Sequence, residues 1–183
     1  MKSTESPKKD YTSPRIHVND NICRKEPNFL IIRKATIHDV PEMQRLINFF
    51  ADRGDLLPRS LNELYENLRD FFIVEDNRRV VGTCALHVNW GDLAEIKALV
   101  VDESYQGQGV GKQLVKACLD DARQLGISRV FALTFKPEFF LKLGFRNIDK
   151  SDLPHKVWSE CIHCVKFPDC GEVAVIYDFV PDG

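Results

Sequence analysis

The run Gln106-Gly107-Gln108-Gly109-Val110-Gly111 carries the clearest chemical signal in the chain. It lies between an apolar segment, Leu99-Val100-Val101, and a stretch with Leu114, Cys118 and Leu125 at helical spacing. Glycine lets the backbone approach a ligand closely, and the unpaired N–H groups at a helix N-terminus converge on an anion. A strand, this turn and a helix therefore make a site suited to a pyrophosphate. Two better-known phosphate patterns do not fit. The three-glycine dinucleotide turn has another spacing and opens a βαβ unit, and Lys112 is not followed by the Ser or Thr of a Walker loop. Taken alone, the run also reads as a plain glycine turn into a helix.

Glu95 stands on the segment that feeds this turn, Ala94-Glu95-Ile96-Lys97-Ala98-Leu99. A carboxylate on the strand that feeds such a turn is a candidate general base. Strand alternation puts Glu95, Lys97, Leu99 and Val101 on one face; the other reading is an exposed strand pair of little consequence. A third group is Cys161, Cys164 and Cys170, spaced C-x2-C-x5-C, with His155 or His163 as a candidate fourth ligand. Structural zinc, reduced packing thiols and a Cys161–Cys164 disulfide all remain open, and no metal is assigned.

The elements that must position these groups follow from pattern. Met1 to about Asn28 is polar and reads as a flexible N-terminal tail, and the domain runs from residue 29 to 183. Phe29–Ile32 is a short strand. Thr36-Ile37-His38-Asp39 resembles a capping box opening a helix with Val40, Met43, Leu46, Ile47 and Phe50 on one face, and Ser60-Leu61-Asn62-Glu63 is a second box. Phe71–Val74 and Val80–Trp90 form a hairpin turning at Asp76 and Asn77. Ala94–Asp102, a helix from Gly109 to Leu125, Val130–Thr134, a short helix Pro137–Leu143 and Val173–Tyr177 complete a βααβββαβαβ order around one mixed sheet.

With 25 Lys and Arg against 27 Asp and Glu, the chain lacks the basic excess of a nucleic-acid binder. No apolar run suits a signal peptide or a membrane span. A cytoplasmic location follows as an expectation, and there Cys23, Cys84 and Cys118 read as inert thiols.

The Q-x-x-G-x-G turn between strand and helix resembles motif A of the GNAT N-acetyltransferase superfamily. The resemblance extends from Phe29 to Asp178, through Ile32-Arg33-Lys34-Ala35-Thr36, the hairpin ending in Val81-Gly82, and Phe139-Phe140-Leu141-Lys142-Leu143-Gly144-Phe145. It implies an α/β (α+β) single GNAT domain, a mixed central sheet flanked by helices, with acetyl-CoA as co-substrate. Gln106, Gly107, Gln108, Gly109, Val110 and Gly111 would hold the pyrophosphate, and the strand Leu99-Val100-Val101 would pair with the pantetheine arm as an added strand.

Within that superfamily, Leu57-Pro58-Arg59-Ser60, Ala94-Glu95-Ile96, Leu133-Thr134-Phe135-Lys136 and Leu153-Pro154 resemble the acetyltransferase domain of N-acetylglutamate synthases. That likeness implies L-glutamate as acceptor, in the first step of arginine biosynthesis. It assigns proton abstraction to Glu95, assistance to the leaving thiolate to Thr134, and a substrate carboxylate to Arg59, with Lys97, Lys166 and Lys136 as further cations. Two carboxylates need at least two such donors. Another amino acid, an amine, a protein N-terminus, or a non-catalytic acyl-CoA-binding module are the rival readings.

Many superfamily members have a tyrosine where this chain has Phe140, which fits the glutamate branch. At 183 residues the chain resembles the short form without an arginine-sensing domain. A homodimer fits the likeness; the sequence itself sets no oligomeric state.

Overall fold

A computed structural model of the protein describes residues 15–16, 30–154 and 170–180. Its chain order is β1 (Arg15–Ile16), β2 (Leu30–Lys34), α1 (Val40–Ala51), α2 (Leu61–Glu66), β3 (Phe71–Asp76), β4 (Arg79–Trp90), β5 (Leu93–Val101), α3 (Val110–Gln124), β6 (Arg129–Thr134), α4 (Pro137–Leu141), β7 (Arg146–Ile148) and β8 (Val173–Asp178). These strands form one sheet in the order β1-β2-β3-β4-β5-β6-β8-β7. Only β5 and β6 run parallel among its pairs, so the sheet is mixed, as the sequence implies. Two strands go beyond the expected order. β1 lies within the segment read as a tail and pairs with Ile31 and Leu30; β7 adds a three-residue edge beside β8.

Burial follows the apolar spacing. In α1, Val40, Met43, Leu46, Ile47 and Phe50 are all buried, and with Leu64 of α2 they cover one face of the sheet over Ile73 and Ala85. The opposite face carries α3 and α4, with Leu114, Val115, Cys118 and Phe140 packed on Leu86 and Ile96. On the α1 side, beyond Glu95, a smaller cluster gathers Leu93, Phe131, Leu153, Ala174 and Ile176.

The capping box at Ser60 is complete: its Oγ accepts from the Glu63 N–H at 3.2 Å, and Glu63 Oε2 accepts from the Ser60 N–H at 3.0 Å. The box expected at Thr36 is corrected. α1 begins only at Val40 with Asp39 as its N-cap, and the Asp39 carboxylate reaches back to the N–H and hydroxyl of Thr36. Arg33 explains the difference, because its Nη1 and Nη2 hold the same carboxylate at 2.7 and 2.8 Å.

Two features of the sheet shape the site. β5 and β6 pair only at Leu93–Glu95 against Arg129–Phe131, and no further pairing joins them towards their C-terminal ends. Within β5 the register against β4 slips between Thr83 and Ala85, and Ala98 on the slipped strand has φ 47°, a left-handed backbone that alanine seldom adopts. This bulge corrects the expected alternation. Ile96, Leu99 and Val101 pack towards α3, whereas Ala98 and Val100 pack towards α1. Glu95 and Lys97 thus lie on the face opposite Leu99 and Val101.

Candidate active site

The glycine turn is tied down residue by residue. Asp102 accepts from the Ser104 N–H at 3.0 Å, Gln106 Nε2 donates to the Val101 carbonyl at 2.9 Å, and Gln108 Nε2 donates to the Ser104 carbonyl at 2.8 Å. The Tyr105 hydroxyl donates to Asp76 Oδ2 at 2.5 Å, fixing the turn to the end of the β3–β4 hairpin. Burial and that carboxylate push the phenol up to about 12, so it stays a neutral donor.

Gly107 and Gly109 have φ 74° and 84°, which let the chain enter α3 with no side chain over its first turn. Gly109 is the N-cap, no side chain caps the helix, and its first turn has no acidic residue. The unpaired N–H groups there point out of the helix end, where an anion satisfies them.

A cleft of about 580 Å³ runs from this turn between the diverging strands to Glu95, within the range of sites that hold small ligands. Gln106, Gly107, Gly109, Val110 and Gly111 line its end at the glycine turn, and Leu99, Val100 and Val101 also line it. Arg59, Glu95, Lys97 and Thr134 line it as well, so the fold brings together most of the residues the sequence singled out. Gln108 is not among the lining residues, its side chain being turned back onto Ser104. Lys166, Cys161, Cys164, His155 and His163 lie outside the described residues.

Glu95 is 8% exposed, and its Oε2 lies 3.2 Å from Lys97 Nζ. Arg59 is set by its backbone: its N–H donates to Asn48 Oδ1 at 2.8 Å, and its carbonyl accepts from Gln44 and Asn48 at 3.2 Å. Its Nη1 donates to Glu63 at 2.9 Å. Burial raises Glu63, but the Ser60 N–H and the Arg59 guanidinium outweigh it and hold the carboxyl below its ordinary value. Thr134 ends β6, and its Oγ1 accepts from the Lys136 N–H at 3.0 Å, which leaves the hydroxyl hydrogen as a donor. Phe140 is buried against Phe139 and Phe145 and brings no hydroxyl.

Sequence reasoning missed Lys150, Glu172 and Tyr105 as lining residues. Lys150 Nζ donates to the Cys170 carbonyl at 3.0 Å, and the Cys170 thiol lies 3.4 Å from Glu172 Oε2. Tyr105 directly precedes the glycine motif, whereas no local motif marks Lys150 or Glu172, and only the β6–β8 pairing carries 170–172 to the cleft.

A strand–turn–helix anion site joined to a cleft between diverging strands is the architecture of an acetyltransferase that draws on acetyl-CoA. The chain belongs to the acetyltransferase (GNAT) family, whose model matches residues 37–145. It is 33% identical over 145 residues to an uncharacterised N-acetyltransferase of Chlorobaculum tepidum, covering 79% of this chain and 94% of that one. It is 38% identical over 133 residues to the amino-acid acetyltransferase of Mycobacterium tuberculosis, covering 71% and 76%.

Among solved structures, N-acetylglutamate synthase from Neisseria gonorrhoeae, complexed with coenzyme A and N-acetyl-glutamate, superposes with a TM-score of 0.76 at 29% identity, over 85% of this chain and 36% of that one. A Mycobacterium tuberculosis protein in complex with CoA gives a TM-score of 0.70 at 33% identity, over 81% and 99%. The protein is therefore an N-acetyltransferase using acetyl-CoA. Among the described residues there is no group of three or more His, Cys, Asp and Glu able to hold a metal, and no helix long and apolar enough to cross a membrane.

Proposed function

We propose that the chain transfers the acetyl group of acetyl-CoA to the α-amino group of L-glutamate, the entry reaction of arginine biosynthesis. One observation carries this reading: the cleft is lined by the nearly buried carboxylate Glu95, with Lys97 at 3.2 Å, and by the further cations Arg59, Lys112, Lys136 and Lys150, which outnumber its other acidic groups, Asp55 and Glu172. A dianionic acceptor suits such a wall, and a polyamine does not. The amino-acid acetyltransferase and N-acetylglutamate synthase relatives support the same reading.

In this reading the α3 N-terminus and the glycine backbone bind the pyrophosphate and the bulged strand guides the pantetheine arm. Arg59 takes one substrate carboxylate, with Lys97 or Lys166 for the other. Glu95 draws a proton from the substrate ammonium, and the neutral amine then attacks the thioester carbon. Collapse of the tetrahedral intermediate expels the thiolate, which the Thr134 hydroxyl steadies and which takes the second proton of the amine nitrogen to leave as the free thiol. The test is a thiol-release assay over the twenty amino acids, with and without arginine. Glutamate should give the highest kcat/KM; thiol release that no amino acid stimulates would support an acyl-CoA-binding module instead.

A further inference from the structure

Outside the cleft, one titratable pair lies in line with Glu95. His87 on β4 is the direct cross-strand partner of Glu95 on β5. Residues paired this way project from the same face with β-carbons about 4.5–5.5 Å apart. His87 Nδ1 is 2.6 Å from Asp70 Oδ2, just ahead of β3, so Asp70, His87 and Glu95 form a row across adjacent strands. Glu95 is the least exposed of the three: its side chain is 10% exposed, whereas those of His87 and Asp70 are 33% and 26% exposed. Lys97 is the other charged group on this stretch of β5, and α1 presents an apolar face to the sheet.

Acetylation of an ammonium by a thioester yields an amide, a free thiol and one proton. That proton begins on the amine, passes to Glu95, and must leave a nearly buried carboxylate before the next turnover. With Nδ1–H donated to Asp70, which fixes the orientation of the ring, Nε2 is left as the acceptor. We infer that His87, oriented by Asp70, relays the proton from Glu95 to solvent, directly or through one water. This rests on the assignment of Glu95 as base. His87 touches neither substrate nor acetyl-CoA in this scheme, and Asp70 is its positioning residue.

The test compares His87→Ala, Asp70→Asn and Glu95→Gln under saturating substrates, with and without added imidazole. His87→Ala should lose roughly tenfold in kcat with both KM values unchanged, less than the hundredfold or more expected for removal of the base. Added imidazole should restore most of the loss in His87→Ala and none in Glu95→Gln, and Asp70→Asn should fall in the same direction by less. Wild-type kcat in His87→Ala, or a loss that imidazole does not relieve, would overturn the relay while leaving the base assignment standing. Wild-type kcat in Glu95→Gln would remove the base assignment and the relay together.

Discussion

Lys97 Nζ sits 3.2 Å from Glu95 Oε2, with side chains only 14% and 10% exposed. Two residues apart on a regular stretch of strand, they share a face, and the bulge at Ala98 follows immediately. Removing one partner of a nearly buried pair strands the other charge, at a cost of about 3 kcal/mol. Lys97→Met should therefore lower Tm and kcat/KM together. Adding Glu95→Gln to it should recover most of the stability but none of the activity, as a double-mutant cycle by calorimetry and thiol release would read.

Gly109→Ala tests the anion turn by backbone alone. A β-carbon there would meet nothing within 4 Å, but the residue has φ 84°. The left-handed conformation costs an L-residue about 1–2 kcal/mol. The variant should melt a few degrees lower, and its KM for acetyl-CoA should rise while the acceptor KM holds, as steady-state kinetics would record.

Arg59 is the one guanidinium among the residues that line the cleft, and the proposed reaction gives it a substrate carboxylate. A charge-assisted bond contributes on the order of 1.5–3 kcal/mol, so Arg59→Ala should raise the KM for glutamate by roughly tenfold or more. The KM for acetyl-CoA should stay within about twofold, because Arg59 stands on the α2 side, away from the glycine turn. Equal effects on both would place Arg59 outside the acceptor site.

Asp39 ties α1 to β2. Burial raises its carboxyl, but the Arg33 guanidinium and the Thr36 N–H prevail and hold it at about 2, against an ordinary 3.8. A depressed carboxylate stabilises the fold fully above the unfolded value and loses that contribution as pH falls towards the folded one. The stabilisation should be intact above pH 4 and fade between about 4 and 2. Asp39→Asn should be less stable near neutrality, and the gap to wild type should close over that window in denaturant titrations.

Cys84 and Cys118 lie 3.4 Å apart at 0% exposure, and burial followed by the Cys84 thiol pushes Cys118 well above the usual thiol range. A water-soluble thiol reagent should leave both unlabelled in the folded protein and modify them only after unfolding, whereas half-exposed Cys170 should react. Peptide mass mapping of the labelled chain distinguishes the cases.

Much of this architecture was legible because its signals are local. The glycine turn, the Ser60 box and the apolar stripe of α1 each sit within a few residues. The bulge was not legible, since Ala98 gives no sign of its positive φ, and without it Glu95 and Leu99 appear to share a face. The start of α1 was misread because Arg33, itself held by Glu75 from a distant part of the sequence, decides how Asp39 is used. β7 has three residues and little burial, too short for alternation to register. Lys150 and Glu172 reach the cleft through sheet pairing, and the His87–Glu95 opposition depends on strand register, which composition alone does not give.

The central claim is the identity of the acceptor. Purified protein incubated with acetyl-CoA and an equimolar mixture of the twenty amino acids, with products read by mass spectrometry, tests it most directly. N-acetylglutamate should dominate the early products. A different acetylated amino acid in first place, at initial rates, would contradict the account.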